Sequence, residues 1–150
     1  RRHFSDCFER EFLRAKRYGS DLSFAMVDVD SFKEVNDSYG HGFGDYLLKE
    51  VAYILLNSFR KTDVVFRYGG DEFAILITET SKDKALIPLE RFRKAISDYE
   101  FNYKGKTVRI TVSIGVADVT EEVTSSDELF DVADKALYSS KASGKNCINF

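Results

Sequence analysis

The segment that most restricts the fold is VVFRYGGDEFAILI, residues 64–77. Two short apolar runs flank Gly69, Gly70, Asp71 and Glu72. This pattern predicts two strands joined as a hairpin, because glycine accepts a positive φ without a Cβ clash and is typical of such turns. The chain therefore contains an antiparallel strand pair with two adjacent acids at its tip.

The rest of the chain alternates helical patterns with short strand patterns. Residues 22–29 are nearly all apolar, as in a strand buried on both faces. Residues 107–116 alternate apolar and polar side chains, which predicts one strand with one buried face. Apolar spacing predicts helices over 5–18, 31–40, 43–58, 82–97 and 127–142, and 147–150 is predicted as an edge strand. Pro88 is expected in a first helical turn or at a kink.

This order predicts an α+β fold with a central, mostly antiparallel sheet of five strands, flanked by helices in two or three layers. The 150 residues have the size of one domain, 1–150. The chain begins at Arg1 without a methionine. We therefore expect a single domain excised from a longer protein with an N-terminal sensory or regulatory part.

Composition narrows the classes of partner. The net charge is −3 with a pI near 5.5, so no broad basic face for nucleic acid is expected. No apolar run approaches the roughly 18 residues of a membrane span, so we expect no membrane contact in this segment and a cytoplasmic location, alone or as part of a larger membrane-bound protein. Cys7 and Cys147 have no zinc-like spacing and are expected as free thiols, a disulfide being the alternative.

The acids suggest a metal site. Asp28 ends a buried strand, while Asp71 and Glu72 lie at the hairpin; if the strands are neighbours, three carboxylates converge and raise one another's pKa unless a cation lies between them. Mg²⁺ commonly joins carboxylates to substrate phosphates, and two such ions can align an attacking hydroxyl and a leaving pyrophosphate. Alternatively, Asp71 and Glu72 form a solvated turn, and Asp28 and Asp30 cap the next helix.

Four blocks of the sequence resemble the GGDEF domains, the diguanylate cyclase family. RYGGDEF (67–73) contains the family signature, and residues 27–45 are similar to its D-x-D-x-F-K-x-x-N-D-x-x-G-H-x-x-G-D block. Residues 111–117 and 133–146 resemble its later blocks. The resemblance implies a fold related to the palm of polymerases and class III nucleotide cyclases. It also implies condensation of two GTP into cyclic di-GMP and two pyrophosphates.

The resemblance implies a site for two Mg²⁺ ions, with Mn²⁺ as an alternative. The implied ligands are Asp28, the carbonyl of Val29, Asp71 and Glu72. Asp71 would also help to deprotonate the 3′-hydroxyl, and Lys33 would stabilise charge on the phosphates. Asp71, Glu72 and Lys33 thus form the implied catalytic group.

The resemblance also assigns contacts to the GTP base. Asn36 and Asp45 match the guanine-reading positions, since a carboxylate accepts hydrogen bonds from guanine N1–H and its 2-amino group. On spacing alone, Asp45 would instead cap the helix 43–58. Gly69 and Gly70 would let nucleotide and metal approach. His41 is either a substrate contact or, in the interpretation we favour, a packed structural side chain.

Phosphate contacts are implied further along. The amides of Ser31 and Phe32 would hold phosphate oxygens at a helix start. Lys141 and Lys145 match two cationic phosphate contacts and, as an i,i+4 pair on the last helix or at its end, would share a face. The second cation is usually Arg in the family, and Lys145 lacks its bidentate fork. Solvated surface lysines are the alternative.

A second site is implied by Arg60-Lys61-Thr62-Asp63. Its spacing matches the family's R-x-x-D motif, which binds the product cyclic di-GMP as an inhibitor, and Arg91 matches a second arginine of that site. An arginine can stack on a purine or fork onto guanine or phosphate. The alternative is a surface ion pair at a helix end, contributing at most about 1 kcal/mol.

The two-fold symmetry of the product implies a homodimer in which each domain holds one GTP. Two other functions are weighed against this one. A catalytically silent receptor for cyclic di-GMP or GTP usually has a degenerate signature, which this chain does not. A polymerase-like or class III cyclase with another product is disfavoured by the guanine readers Asn36 and Asp45.

Overall fold

The computed structural model describes residues 2–150, with side chains from His3 onward. The helices are α1 (Arg2–Tyr18), α2 (Phe32–Tyr39), α3 (His41–Ser58), α4 (Lys82–Asp98) and α5 (Ser126–Ala142). The strands are β1 (Leu22–Val29), β2 (Val64–Arg67), β3 (Glu72–Thr78), β4 (Phe101–Tyr103), β5 (Lys106–Val108), β6 (Val112–Asp118) and β7 (Ile148–Asn149). The predicted hairpin, the buried strand and the edge strand are confirmed.

The strands form a five-stranded sheet in the order β2-β3-β1-β6-β7. Three of its pairings are antiparallel, and β6 pairs with β7 in parallel. Strands β4 and β5 form a separate two-stranded hairpin. The predicted mostly antiparallel five-stranded sheet is therefore confirmed.

Side-chain alternation along β1 divides the core into two clusters, one on each face of the sheet. Ala25, Val27 and Val29 pack with α3 and α4, whereas Phe24 and Met26 pack with α1 and α5. All eight residues of β1 are buried. The domain thus has three layers with β1 at its centre, because a strand covered on both faces needs apolar side chains in both directions.

Helix α5 lies unusually close to strand β6. A Cβ atom at Gly115 would overlap the carbonyl oxygen of Ala133 and the amide nitrogen of Leu137. One turn further along α5, the hydroxyl of Ser140 donates a 2.7 Å hydrogen bond to the carbonyl of Ile114. At the other end, the side chain of Ser125 caps the helix by accepting from the Glu128 amide. These contacts fix the distance between α5 and the sheet and the residue at which the helix begins.

The prediction for residues 107–116 is wrong. The expected strand 107–116 is two strands, because β5 ends at Val108 and pairs with β4 while β6 begins only at Val112. Its polar positions are not a solvated face either, since Ser113 is fully buried. Pro88 lies inside α4, which begins at Lys82, so it is not in the first helical turn, the first of its two expected positions.

Among the helices of residues 2–150, none combines the length and the apolar composition of a membrane span. Cys7, which is buried, and Cys147 are both free, as expected. Burial raises the pKa of the Cys7 thiol above its usual value. Its sulfur also accepts a 3.4 Å contact from the Arg10 guanidinium.

We expect Gly115→Ala to destabilise the domain by about 2 kcal/mol, because the new methyl group meets helix backbone and forces α5 off β6. Urea unfolding followed by circular dichroism measures this loss. The matched control is Gly42→Ala near the start of α3, where a Cβ would lie 3.8 Å from the Tyr103 hydroxyl. Equal stability of the two variants would show that α5 is not held in this close contact.

Candidate active site

The metal-ligand candidates on β1 and β3 are cross-strand neighbours. Strand register places Asp28 directly opposite Glu72. Asp28 continues the series of β1 side chains that face α1 and α5, and Glu72 continues the corresponding series of Ala74 and Leu76 on β3. Alternation therefore directs both carboxylates to the α5 side of the sheet.

The hairpin tip is held by its own backbone and by Arg67. The amides of Tyr68 and Gly69 both donate to the carbonyl of Glu72, at 2.9 and 3.2 Å. The Arg67 guanidinium donates twice to the carbonyl of Gly70, at 3.2 and 2.7 Å. These bonds give the tip a defined shape.

The positive φ predicted for the Gly-Gly pair is not found. Neither Gly69 nor Gly70 has a positive φ. Gly69 is needed for space, because a Cβ there would overlap the carboxylate of Glu72, whereas a Cβ on Gly70 would meet nothing within 4 Å. Glycine at position 69 therefore lets Glu72 fold back over the turn.

The carboxylate of Asp28 is buried and has one cationic partner. Its Oδ2 lies 2.7 Å from the ammonium of Lys141, and its side chain is 13% exposed. Burial raises the pKa of Asp28; Lys141 opposes this, and the charges of Asp71 and Glu72 add to it. Asp28 thus carries an electrostatic cost that one cation only partly offsets.

The predicted convergence of three carboxylates is only partly right. The Val29 amide donates to the Asp71 carbonyl at 3.2 Å, so the hairpin tip is joined to the end of β1. Over residues 2–150, however, no three acidic, histidine or cysteine side chains form a ready metal cluster. Asp28 faces Lys141 and Glu72, and the side chains form an open group of oxygen donors.

Asp30 does not cap α2, contrary to one of the alternatives considered. Its buried carboxylate accepts hydrogen bonds from the hydroxyls of Thr111 (2.6 Å) and Ser113 (2.7 Å) and from the Asn146 amide (3.1 Å). Its own amide donates to the Thr111 carbonyl at 3.0 Å. Asp30 therefore joins the end of β1 to the start of β6 and to the turn after α5.

Lys141 contacts the end of β1, and Lys145 contacts the loop that follows it. The predicted helical pair is wrong, because α5 ends at Ala142 and Lys145 lies beyond it with φ 65°. Its ammonium nevertheless donates to the Ser31 hydroxyl at 3.0 Å. Both cations therefore border the loop between β1 and α2.

That loop opens into α2 with uncapped amides. Ser31 precedes the helix with φ 58°, a left-handed conformation, and its side chain makes no capping bond. Phe32 starts the helix and packs partly against the core, while Lys33 is exposed. The first-turn amides of α2 can therefore bind an anion.

The predicted base-reading residues lie where α2 meets α3. A Cβ at Gly44 would overlap Oδ1 of Asn36 and lie 3.1 Å from the Phe32 ring. This buried Oδ1 atom has no hydrogen-bond partner among the described residues. Asp45 is exposed and lies beyond the first turn of α3, which begins at His41, so the capping alternative is wrong. The favoured packed role of His41 is also wrong, because its side chain is exposed.

The residues of the predicted second site border a cavity of about 470 Å³. Arg60, Asp63 and Arg91 line it together with Phe59 and Pro88. Asp63 accepts from the amides of Arg60 (2.9 Å) and Thr78 (3.2 Å), and Arg91 donates to the Ser58 carbonyl. Asp63 thus shapes the turn rather than forming the surface ion pair considered as the alternative.

Comparison with known sequences identifies the family. The model of the family described as diguanylate cyclase, GGDEF domain, matches residues 1–147. This chain belongs to the GGDEF domain family. Diguanylate cyclase A of Treponema denticola is 42% identical over 125 residues, which cover 83% of this chain and 34% of that protein. Diguanylate cyclase DosC of Escherichia coli K12 is 39% identical over 147 residues, covering 97% and 32%.

Solved structures confirm the palm-like fold expected for a GGDEF domain. The GGDEF domain of DgcB from Caulobacter crescentus, in complex with c-di-GMP, has a TM-score of 0.95 at 30% identity and covers 99% of this chain and 88% of that one. The active GGEEF domain of a diguanylate cyclase from Vibrio cholerae has a TM-score of 0.92 at 30% identity, covering 100% and 96%. The chain spans about a third of the length of the curated relatives above.

Sequence reasoning missed several residues that shape this GGDEF domain's site. Gly44 and Asn146 lie inside the matched blocks, but the sequence alone predicts no role for them, and for Asp30 it predicts only a helix cap. Arg93 lies outside those blocks, yet its guanidinium donates to Asn146 Oδ1 at 2.5 Å. The sequence contains one indication of the turn after α5. An asparagine directly follows a Gly-Lys pair, and asparagine tolerates a left-handed φ.

We expect Asp30→Asn to destabilise the domain by about 1–3 kcal/mol, because the amide has only one accepting oxygen in place of two and carries no charge to strengthen the remaining hydrogen bonds. Urea unfolding measures the effect. Asp37→Asn removes the same charge at an exposed position of α2 and serves as the control. If both variants unfold like the parent domain, Asp30 does not join these three segments.

Proposed function

We propose that this GGDEF domain condenses two GTP into cyclic di-GMP and two pyrophosphates. The observation that carries this proposal is the register that sets Asp28 opposite Glu72, beside a loop bordered by two lysines. Paired carboxylates next to a cationic anion-binding loop suit nucleotidyl transfer. Family membership and the intact signature support the same reaction.

Asp28, the Val29 carbonyl, Asp71 and Glu72 are the groups that would hold two Mg²⁺ ions. They fit because they are hard oxygen donors, and because the buried Asp28 is repelled by both other acids. An open donor group suits Mg²⁺, which binds through one or two carboxylates together with substrate phosphates. When bound, the ions would lower the pKa of the attacking hydroxyl and offset phosphate charge.

The chain's own cations would orient the triphosphate. The uncapped amides of Ser31 and Phe32 lie at the start of α2, where the helix dipole favours an anion. Lys141 and Lys145 flank this loop, and Lys33 is exposed on the first turn of α2. Once a nucleotide is bound, Lys141 would exchange its carboxylate partner for phosphate oxygens.

Asn36 and Asp45 would read the guanine base. The exposed carboxylate of Asp45 can accept from N1–H and the 2-amino group, a pair of donors that adenine does not offer. Gly44 keeps α3 close to Asn36, so the two readers approach one ligand from adjacent helices. His41 is exposed at the start of α3 and would be a further substrate contact.

Each domain would bind one GTP, so two domains must face each other. The product has two-fold symmetry, and each 3′-hydroxyl attacks the α-phosphorus held by the opposite domain. Asp71 would assist removal of the 3′-hydroxyl proton. A regulatory segment elsewhere in a longer protein would control this meeting.

Neutralising Asp71 tests the reaction. With GTP and Mg²⁺ at high protein concentration, we expect the parent domain to form cyclic di-GMP, and Asp71→Asn to form it at least about 10²-fold more slowly, as expected for loss of a positioned base and ligand. Chromatography of the products measures both. Asp131→Asn, on the exposed face of α5, is the matched charge control.

Absence of product from the parent domain, even after enforced dimerisation and Arg60→Ala substitution, would refute the cyclase. Binding of cyclic di-GMP under those conditions would then identify a receptor.

We also propose that the cavity of Arg60, Asp63 and Arg91 binds cyclic di-GMP as an inhibitor. Two arginines face a space of about 470 Å³ that has apolar walls at Phe59 and Pro88. Guanidinium groups bind phosphate and the Hoogsteen edge of guanine, and apolar walls suit a purine face. Asp63 would act mainly by holding the turn that presents Arg60.

Calorimetry with cyclic di-GMP tests this second site. We expect Arg60→Ala to lower the affinity by about tenfold or more, because a charge-assisted contact to phosphate or base is lost. Lys61→Ala removes the neighbouring exposed charge and should bind like the parent domain. Equal affinity of all three proteins would exclude Arg60 from the binding site.

A further inference from the structure

Lys145 projects from a backbone that needs external support. Lys145 and Asn146 both have left-handed conformations, with φ 65° and 48°. Such conformations are unfavourable for residues with a Cβ, and least so for asparagine. Two in succession persist only where neighbouring groups hold them.

Asn146 forms hydrogen bonds to groups on two sides of the turn. Its amide donates to Asp30 Oδ2 at 3.1 Å. On the other side, Nη1 of Arg93 donates to the carbonyl (3.2 Å) and to Oδ1 (2.5 Å) of Asn146. The turn is therefore joined to the end of β1 and to helix α4 at once.

Arg93 is itself oriented by a bidentate ion pair. Its Nε and Nη2 atoms donate to the two carboxylate oxygens of Glu90, at 2.8 and 2.7 Å. This pair lowers the pKa of Glu90 and raises that of Arg93. The Arg93 side chain is 15% exposed. Phe92, its neighbour, is fully buried in the core, so the helix that carries Arg93 is firmly seated.

We propose that Arg93, oriented by Glu90, is a positioning residue that places the Lys145 ammonium at the phosphate loop. It acts through Asn146, whose clamped backbone directs Lys145 toward the Ser31 hydroxyl. Arg93 itself does not touch substrate. The inference rests on the proposed GTP site and extends it to a residue on the opposite layer of the fold.

A purely structural role would have a different signature. Loss of a structural contact weakens folding, and the binding of every part of the nucleotide falls together. Loss of a positioning contact for Lys145 weakens only the part of binding that depends on phosphate. Comparing a triphosphate with its nucleoside separates the two roles.

The test compares guanosine with the α,β-methylene analogue of GTP, which cannot release pyrophosphate, in the presence of Mg²⁺. Arg93→Lys keeps the charge but loses the fork, so we expect the analogue to bind about threefold to tenfold more weakly. Guanosine affinity, measured by NMR titration, should not change. Lys84→Gln, an exposed position nearer the start of α4, should bind both ligands like the parent domain.

A double-mutant cycle shows whether the effect passes through Lys145. Lys145→Ala alone should weaken binding of the analogue, and adding Arg93→Lys should then cause no further loss. Asn146→Gly keeps the left-handed turn, removes only the side-chain amide, and should give a smaller loss than Arg93→Lys. If Arg93→Lys folds poorly, Asn146→Gly still tests the inference.

Each outcome is decisive. An undiminished analogue affinity in both Arg93→Lys and Asn146→Gly overturns the inference, as does an equal loss for guanosine. Additive losses in the double mutant show that Arg93 acts by another route and also overturn it. A parent domain that binds the analogue no better than guanosine contradicts the proposed GTP site instead.

Discussion

The close packing of α5 against β6 determines where the charges of the site lie. Because Gly115 has no side chain, the helix can approach the strand closely. The Ser140 hydroxyl then donates a hydrogen bond from the helix to the Ile114 carbonyl. From this seat, Lys141 reaches Asp28 on the neighbouring strand β1. If a methyl group at position 115 pushed the helix outward, Lys141 and the turn after α5 would move away from the loop at the end of β1.

The two acids that end β1 show how neighbouring residues of one type acquire separate tasks. Asp30 accepts three hydrogen bonds, from two hydroxyls and an amide. The carboxylate of Asp30 therefore holds three chain segments together. Asp28 has one cation and two repelling acids around it. The surroundings, and not the residue type, leave Asp28 available to a ligand.

Much of this arrangement can be predicted from the amino-acid sequence. The hairpin of 64–77 and the buried strand β1 follow from apolar runs and glycines, since local patterns decide both. The blocks that resemble the GGDEF family contain the candidate metal ligands, base readers and phosphate contacts, because these residues have fixed spacings along the chain. The prediction of one strand over 107–116 fails because Val108 continues the alternation of β6 in sequence, although the chain leaves the sheet between them.

Other features depend on contacts that no local pattern contains. Gly69 is required by the Glu72 side chain folding back, not by the turn's backbone angles. The route of Lys145 to Ser31 depends on a turn held by α4 and β1, which are distant in sequence. Contacts of this kind require the assembled layers, so single-sequence reasoning identifies the residues without their supports.

The ion pair of Lys141 and Asp28 has a thermodynamic consequence. In many small metalloproteins the ligands repel one another until the metal binds, so folding and loading form one coupled equilibrium. Here the chain supplies its own counter-charge from α5. The domain can therefore fold with this carboxylate already paired, and a divalent ion that bound only the folded domain would add to its stability rather than be required for folding.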